Sequence, residues 1–149
     1  SLLSYDIENG IKTLISGTTI SNGIVFTKNS KKMYFIDTPT KVVKEYNYNL
    51  YSGNCQFLRK VIKFNNEGEP DGMDIDNKGN LWIAEWGGNA VSVWNPDNGK
   101  QLARINLPAK NITSLTFDNN ENLYITSANS NKKNYKKTAK LFFLRKNYE

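Results

Sequence analysis

Pro70-Asp71-Gly72-Met73-Asp74-Ile75-Asp76-Asn77-Lys78-Gly79-Asn80-Leu81-Trp82-Ile83-Ala84 decides the fold. It reads as a short strand, a tight turn and a second strand. Asp, Asn and Gly in the turn tolerate positive φ, and the flanking runs are rich in strand-forming residues. The same unit recurs on either side. Upstream, Ser21-Asn22-Gly23-Ile24-Val25-Phe26 precedes a polar turn and Met33-Tyr34-Phe35-Ile36-Asp37. Downstream, Ile112-Thr113-Ser114-Leu115-Thr116-Phe117 precedes Asp118-Asn119-Asn120-Glu121 and Leu123-Tyr124-Ile125-Thr126. Short strands repeating every roughly 40 to 50 residues mark a β-propeller. In such a ring, matching positions of successive blades face one centre. Asn22, Asp71 and Thr113 hold matching positions.

Helical periodicity is almost absent, so the chain is expected to be all-β. The most complete unit has an inner strand at Gly72–Ile75, then Leu81–Glu85, Ala90–Trp94 and an outer strand at Leu102–Asn106. We expect the two outer strands of an incomplete blade over 1–20, a blade over 21–66, a second over 67–110 and a last one over 111–149. The last carries a Lys-rich loop at 130–140. Closed propellers have about four to eight blades. A chain of three to three and a half blades is therefore expected to be the C-terminal portion of a longer ring, or to be completed by a missing N-terminal half or a second chain.

Composition removes several function classes. Of 149 residues, 38% are hydrophobic and 12% aromatic, which argues for a packed core rather than disorder. There is no histidine, so imidazole acid–base chemistry and His-based zinc sites are out. The lone Cys55 rules out an internal disulfide and a thiolate cluster. It fits a reducing, cytoplasmic setting. No apolar run approaches the roughly 20 residues of a membrane span, and Ser1-Leu2-Leu3-Ser4-Tyr5 does not read as a secretory leader. The net charge of +6 is concentrated in Lys132, Lys133, Lys136, Lys137, Lys140, Arg145 and Lys146. It lacks a regular base-stacking pattern and reads as a solvated loop, so no nucleic-acid partner is expected. The sequon at Asn111-Ile112-Thr113 is read as accidental, because Thr113 should face inward.

The quoted stretch also resembles a known family. Pro-Asp-Gly with a following apolar residue, then Asp-x-x-Gly-Asn-Leu-Trp, is similar to the senescence marker protein/gluconolactonase/regucalcin family. Ser21-Asn22-Gly23 with Tyr34-Phe35-Ile36-Asp37-Thr38-Pro39, then Trp86-Gly87-Gly88, Leu107-Pro108 with Thr113-Ser114, and Tyr124-Ile125-Thr126-Ser127-Ala128 continue the likeness in order. It spans nearly the whole chain and about the C-terminal half of the family's length. The resemblance implies a six-bladed propeller with one divalent metal in its channel, and hydrolysis of sugar lactones. It places metal ligands at Asn22 and Asp71 and a candidate general base at Asp71. The family's acidic ligand near its N-terminus, and the polar substrate contacts of its early blades, have no counterpart here.

Residue chemistry agrees with that ligand pair. An amide carbonyl and a carboxylate are hard oxygen donors, suited to Ca²⁺, Mg²⁺ or Mn²⁺; Zn²⁺ also remains open. Thr113 is either a contact to substrate or to a metal-bound water, or a piece of channel wall. The expected activity is a metal-dependent lactonase acting on a small-molecule lactone. The alternatives are a non-catalytic scaffold, a calcium-binding or partner-binding module, and a different six-bladed hydrolase or sensor. Asp74, Asp76, Gly79 and Glu85 mimic an EF-hand spacing, but Lys78 stands where an oxygen ligand is required and strands flank the loop.

Overall fold

The computed structural model describes residues 1–130 and 140–145. Among the described residues thirteen strands run in chain order: β1 Leu2–Asp6, β2 Gly10–Ile15, β3 Ser21–Phe26, β4 Lys32–Asp37, β5 Val42–Tyr48, β6 Cys55–Lys63, β7 Glu69–Ile75, β8 Leu81–Trp86, β9 Ala90–Asn95, β10 Lys100–Asn106, β11 Asn111–Phe117, β12 Leu123–Ala128 and β13 Leu141–Leu144. They form four antiparallel sheets, β1-β2, β3-β4-β5-β6, β7-β8-β9-β10 and β11-β12-β13. Each sheet pairs consecutive strands, which is the blade plan of a propeller. The chain is all-β and forms part of such a ring. Most of the expected Lys-rich loop, 131–139, lies outside the described residues, as do 146–149.

Turn chemistry sets the hairpins. Asp76 accepts hydrogen bonds from the Lys78 and Asn80 backbone N–H groups, and Gly79 takes φ +84°. Asp118 does the same for Asn120 and Asn122 in the next sheet, with Glu121 at φ +60° in the glycine's place. Asp76 also accepts from the Trp82 indole. This turn is thus closed by its own donors. Glu85, the apparent twelfth position of an EF-hand, is buried against Arg104 at 2.8 Å and Asn66 at 2.6 Å. In the turn after Trp86, positive φ falls at Gly87 and Asn89. Gly88 is small for another reason: a Cβ there would lie 2.5 Å from the Glu85 carboxylate.

The blades are held together face to face. Val25, Tyr34, Ile36, Val43, Ile62 and Phe64 of one sheet and its edge meet Met73, Leu81, Ile83 and Trp94 of the next. Ala84 and Val91 meet Ile112, Leu115, Leu123 and Ile125. Leu2 and Ile15 of the two-stranded sheet rest on Met33, Phe35 and Tyr46. Such burial contributes about 1.5–3 kcal/mol per large side chain. Among the described residues no helix is long and apolar enough to cross a membrane.

Candidate functional site

The inner strands β3, β7 and β11 lie side by side, and small residues permit the approach. A Cβ at Gly23 would lie 2.7 Å from the Asp71 carbonyl oxygen and 2.8 Å from the Met73 Cβ. A Cβ at Gly72 would lie 2.5 Å from Ser114 Oγ and 2.7 Å from its Cα. Glycine therefore follows Asn22 and Asp71 because the neighbouring blade's backbone occupies the space of a side chain.

The ladder register breaks at the same place in all three inner strands. It shifts between Ser21 and Ile24, between Pro70 and Met73, and between Ile112 and Ser114. These irregularities bracket Asn22, Asp71 and Thr113. A bulge bends a strand and re-aims a side chain, which is why bulges gather beside sites. The bulges went unread in the sequence, although an isolated glycine inside a strand pattern is the signal for one.

Asn22, Asp71 and Thr113 fall at one end of their strands. A depression of about 270 Å³ there is lined by Asn22, Gly23, Ile24, Gly72, Met73, Thr113 and Ser114. Asp71 adjoins it through Gly72 rather than lining it. Larger hollows, of about 420 and 620 Å³, lie elsewhere: one between the β7-β8-β9-β10 and β11-β12-β13 sheets around Trp82 and Phe117, the other beside Lys41 and Phe64. The Thr113 hydroxyl is 2.8 Å from Thr126 Oγ1.

Asp71 is half-buried. Burial pushes its carboxyl from the ordinary 3.8 up to about 6, while the Asn22 side chain and the Gly72 N–H beside it pull the other way. The structure thus brings Asn22 and Asp71 together. No lysine or arginine pairs with Asp71 among the described residues. The Asn22 amide nitrogen donates to Thr38 Oγ1 at 2.9 Å and also to the Asp71 carboxylate, which leaves its Oδ1 without a donor among the described residues. One charge without a cation and one unengaged carbonyl oxygen are donors that fit a hard divalent ion. They fill only part of its shell: among the described residues no three His, Cys, Asp or Glu gather as a metal cluster. Sequence reading overlooked Thr38, although it follows Asp37 directly at the end of β4 where the inner strand begins.

Comparison with known proteins bears on this arrangement. The family model for the SMP-30/gluconolactonase/LRE-like region matches residues 1–129. A pentonolactonase, XacC, of Haloferax volcanii is 31% identical over 130 residues, covering 85% of this chain and 44% of that protein. The structure of a luciferin-regenerating enzyme superposes with a TM-score of 0.80 at 30% identity, over 85% of this chain and 43% of the other. Regucalcin of Agrobacterium tumefaciens, a calcium-binding protein, gives 0.75 at 26% identity over 83% and 43%. The chain spans less than half the length of these relatives. From its matched region and its blades, this chain belongs to the SMP-30/gluconolactonase/LRE-like family.

Proposed function

We propose that this chain supplies part of the active site of a metal-dependent sugar-lactone hydrolase. The observation that carries the reading is the meeting of Asn22 and Asp71 across two tightly packed inner strands, with their oxygens uncompensated by protein cations. Asn22 Oδ1 and the Asp71 carboxylate would hold one divalent ion, and that ion supplies a Lewis acid that polarises the lactone carbonyl. Asp71, titrating near neutrality when unligated, is placed in the range a general base needs; a cation on it would lower that value. Its carboxylate takes a proton from the water that adds to the lactone carbonyl. It returns that proton to the ring oxygen as the carbon–oxygen bond breaks, leaving a hydroxy acid. Thr113, on the wall of the same depression, contacts the substrate.

Three and a half blades do not close a ring, so the reading includes complementary blades, from a missing N-terminal half or a second chain, that bring the remaining ligand. A cytoplasmic setting accords with the single thiol of Cys55. The test is lactone ring opening by the ring-complete protein, followed by acid release with and without a chelator. Asp71→Asn is expected to lower kcat at least 100-fold and Asn22→Ala to weaken Ca²⁺ or Mn²⁺ binding. Unchanged metal affinity in both variants overturns the site. The shortage of carboxylates favours one rival, a calcium- or partner-binding module without turnover. Metal binding that depends on both residues, with no lactone opened, would decide for that rival.

A further inference from the structure

We propose that Thr38 is a positioning residue that fixes the orientation of the Asn22 amide and ties it to the strand carrying Asp71. The inference rests on the proposed metal site and deepens it. Thr38 follows β4 and opens a short 3-10 turn, Thr38–Thr40. Its side chain is buried between two blades. Its hydroxyl donates to the Pro70 carbonyl oxygen at 2.8 Å, and it accepts from Asn22 Nδ2 at 2.9 Å.

The direction of this relay is dictated by chemistry. A carbonyl oxygen only accepts, so the single hydroxyl proton of Thr38 is committed to Pro70. What Thr38 then presents to Asn22 is a lone pair, and only the amide nitrogen can answer it. The two ends of an asparagine amide are otherwise nearly equivalent in shape. Here one N–H of the nitrogen is held at Thr38 and the other faces the Asp71 carboxylate, so Oδ1 is the end left open as a ligand. Pro70 directly precedes Asp71, so the same hydroxyl spans from one candidate ligand's side chain to the backbone of the other.

The base of this strut is also pinned. Asp37 accepts from the backbone N–H groups of Thr19 and Ile20, at 3.1 and 2.9 Å, and the Thr38 N–H returns to the Ile20 carbonyl at 3.0 Å. Thr40 Oγ1 donates to the Asp37 carbonyl at 2.7 Å. Chain entry into β3 and exit from β4 are therefore locked together around Asn22. Partners of this kind, one bond removed from a metal, typically change affinity about 10–100-fold when deleted.

The experiment titrates the purified ring-complete protein with Ca²⁺, Mn²⁺ and Zn²⁺, one at a time, by isothermal calorimetry. Thr38→Val keeps the shape and removes the hydroxyl; we expect affinity to fall at least 10-fold. Thr38→Ser should restore it to within about threefold. In an Asn22→Ala background, Thr38→Val should cost nothing further, because its effect runs through Asn22. Circular dichroism in chelator confirms that each variant is folded, and the Ser variant keeps the test decisive if Val disrupts packing. Binding that depends on Asn22 and Asp71 but ignores Thr38→Val, or a Thr38→Val loss that persists undiminished without Asn22, overturns the positioning role alone. No binding in the parent protein, or binding indifferent to Asn22→Ala and Asp71→Asn, overturns the metal site and the inference with it.

Discussion

At the scale of single residues, Asp71 is the group whose chemistry is out of place. A half-buried carboxylate without a cation holds its proton too tightly: about 6 against an ordinary 3.8. The folded state therefore binds more protons than the unfolded one between those values, and stability falls as pH rises through that window. Other carboxylates act in the opposite sense. Burial pushes the Asp76 carboxyl up, but hydrogen bonds from Trp82, Asn80 and Lys78 outweigh it and hold the group below its ordinary value. The Asp71 contribution is thus visible only as a difference. In chelator, Asp71→Asn is expected to match the parent near pH 3.8 and to become the more stable of the two above pH 6. Denaturant melts across that range check it, and a gap independent of pH would refute the assignment of the shift to this side chain. The pair Asn22 and Asp71 was legible in the sequence because each precedes a glycine in a recurring unit. Thr38 was not, because its role depends on which blade its hydroxyl reaches, and a repeat pattern records position along the chain rather than contact across blades.

Among elements, the inner strands carry the site, and their spacing is set by what is absent from them. Strand order and hairpin turns could be read from local chemistry, since each arises within one blade. The close approach of β3 to β7 and of β7 to β11 arises between blades, and only Gly23, Gly72 and Ser114 betray it. A methyl group at position 72 meets the Ser114 backbone as well as its side chain, so rotamer change alone cannot relieve it. Gly72→Ala is expected to cost about 1–3 kcal/mol by overpacking. That lowers the melting temperature by roughly 2–4 °C per kcal/mol in a chain of this size. Because the strain falls beside Asp71, divalent-cation affinity should fall in the same variant. Calorimetric melting with a parallel metal titration measures both, and a variant as stable as the parent would show that the two strands have more room than their backbones indicate.

Among the described residues the fold ends on two faces without a neighbouring sheet. Every contact between described blades buries apolar residues on both sides, yet β1 and β2 leave Leu3, Tyr5 and Ile11 at 54, 76 and 72% exposure on their far side. At the other end, β13 leaves Leu141 and Phe143 at 68 and 51%. Apolar side chains concentrated on terminal strands mark a surface that continues in the assembled state, and open strand edges invite pairing with other chains. Three of the sheets were legible because a short inner-strand motif recurs, with Gly23, Gly72 and Ser114 at matching positions. What covers the ends was not, because a repeat pattern carries no information about contacts beyond the repeats. Produced by itself, this chain of 17.0 kDa should therefore associate. Sedimentation velocity is expected to show species heavier than one copy. Charging both faces, with Tyr5→Lys and Ile11→Lys at one end and Leu141→Lys and Phe143→Glu at the other, should shift the protein toward a single copy. The inter-blade cores built on Phe35, Ile83 and Ile125 are untouched by these changes, so its circular dichroism should be retained. A parent chain that sediments as one copy at all concentrations would mean that the two faces are stable in water, and the case for complementary blades would lose its physical basis.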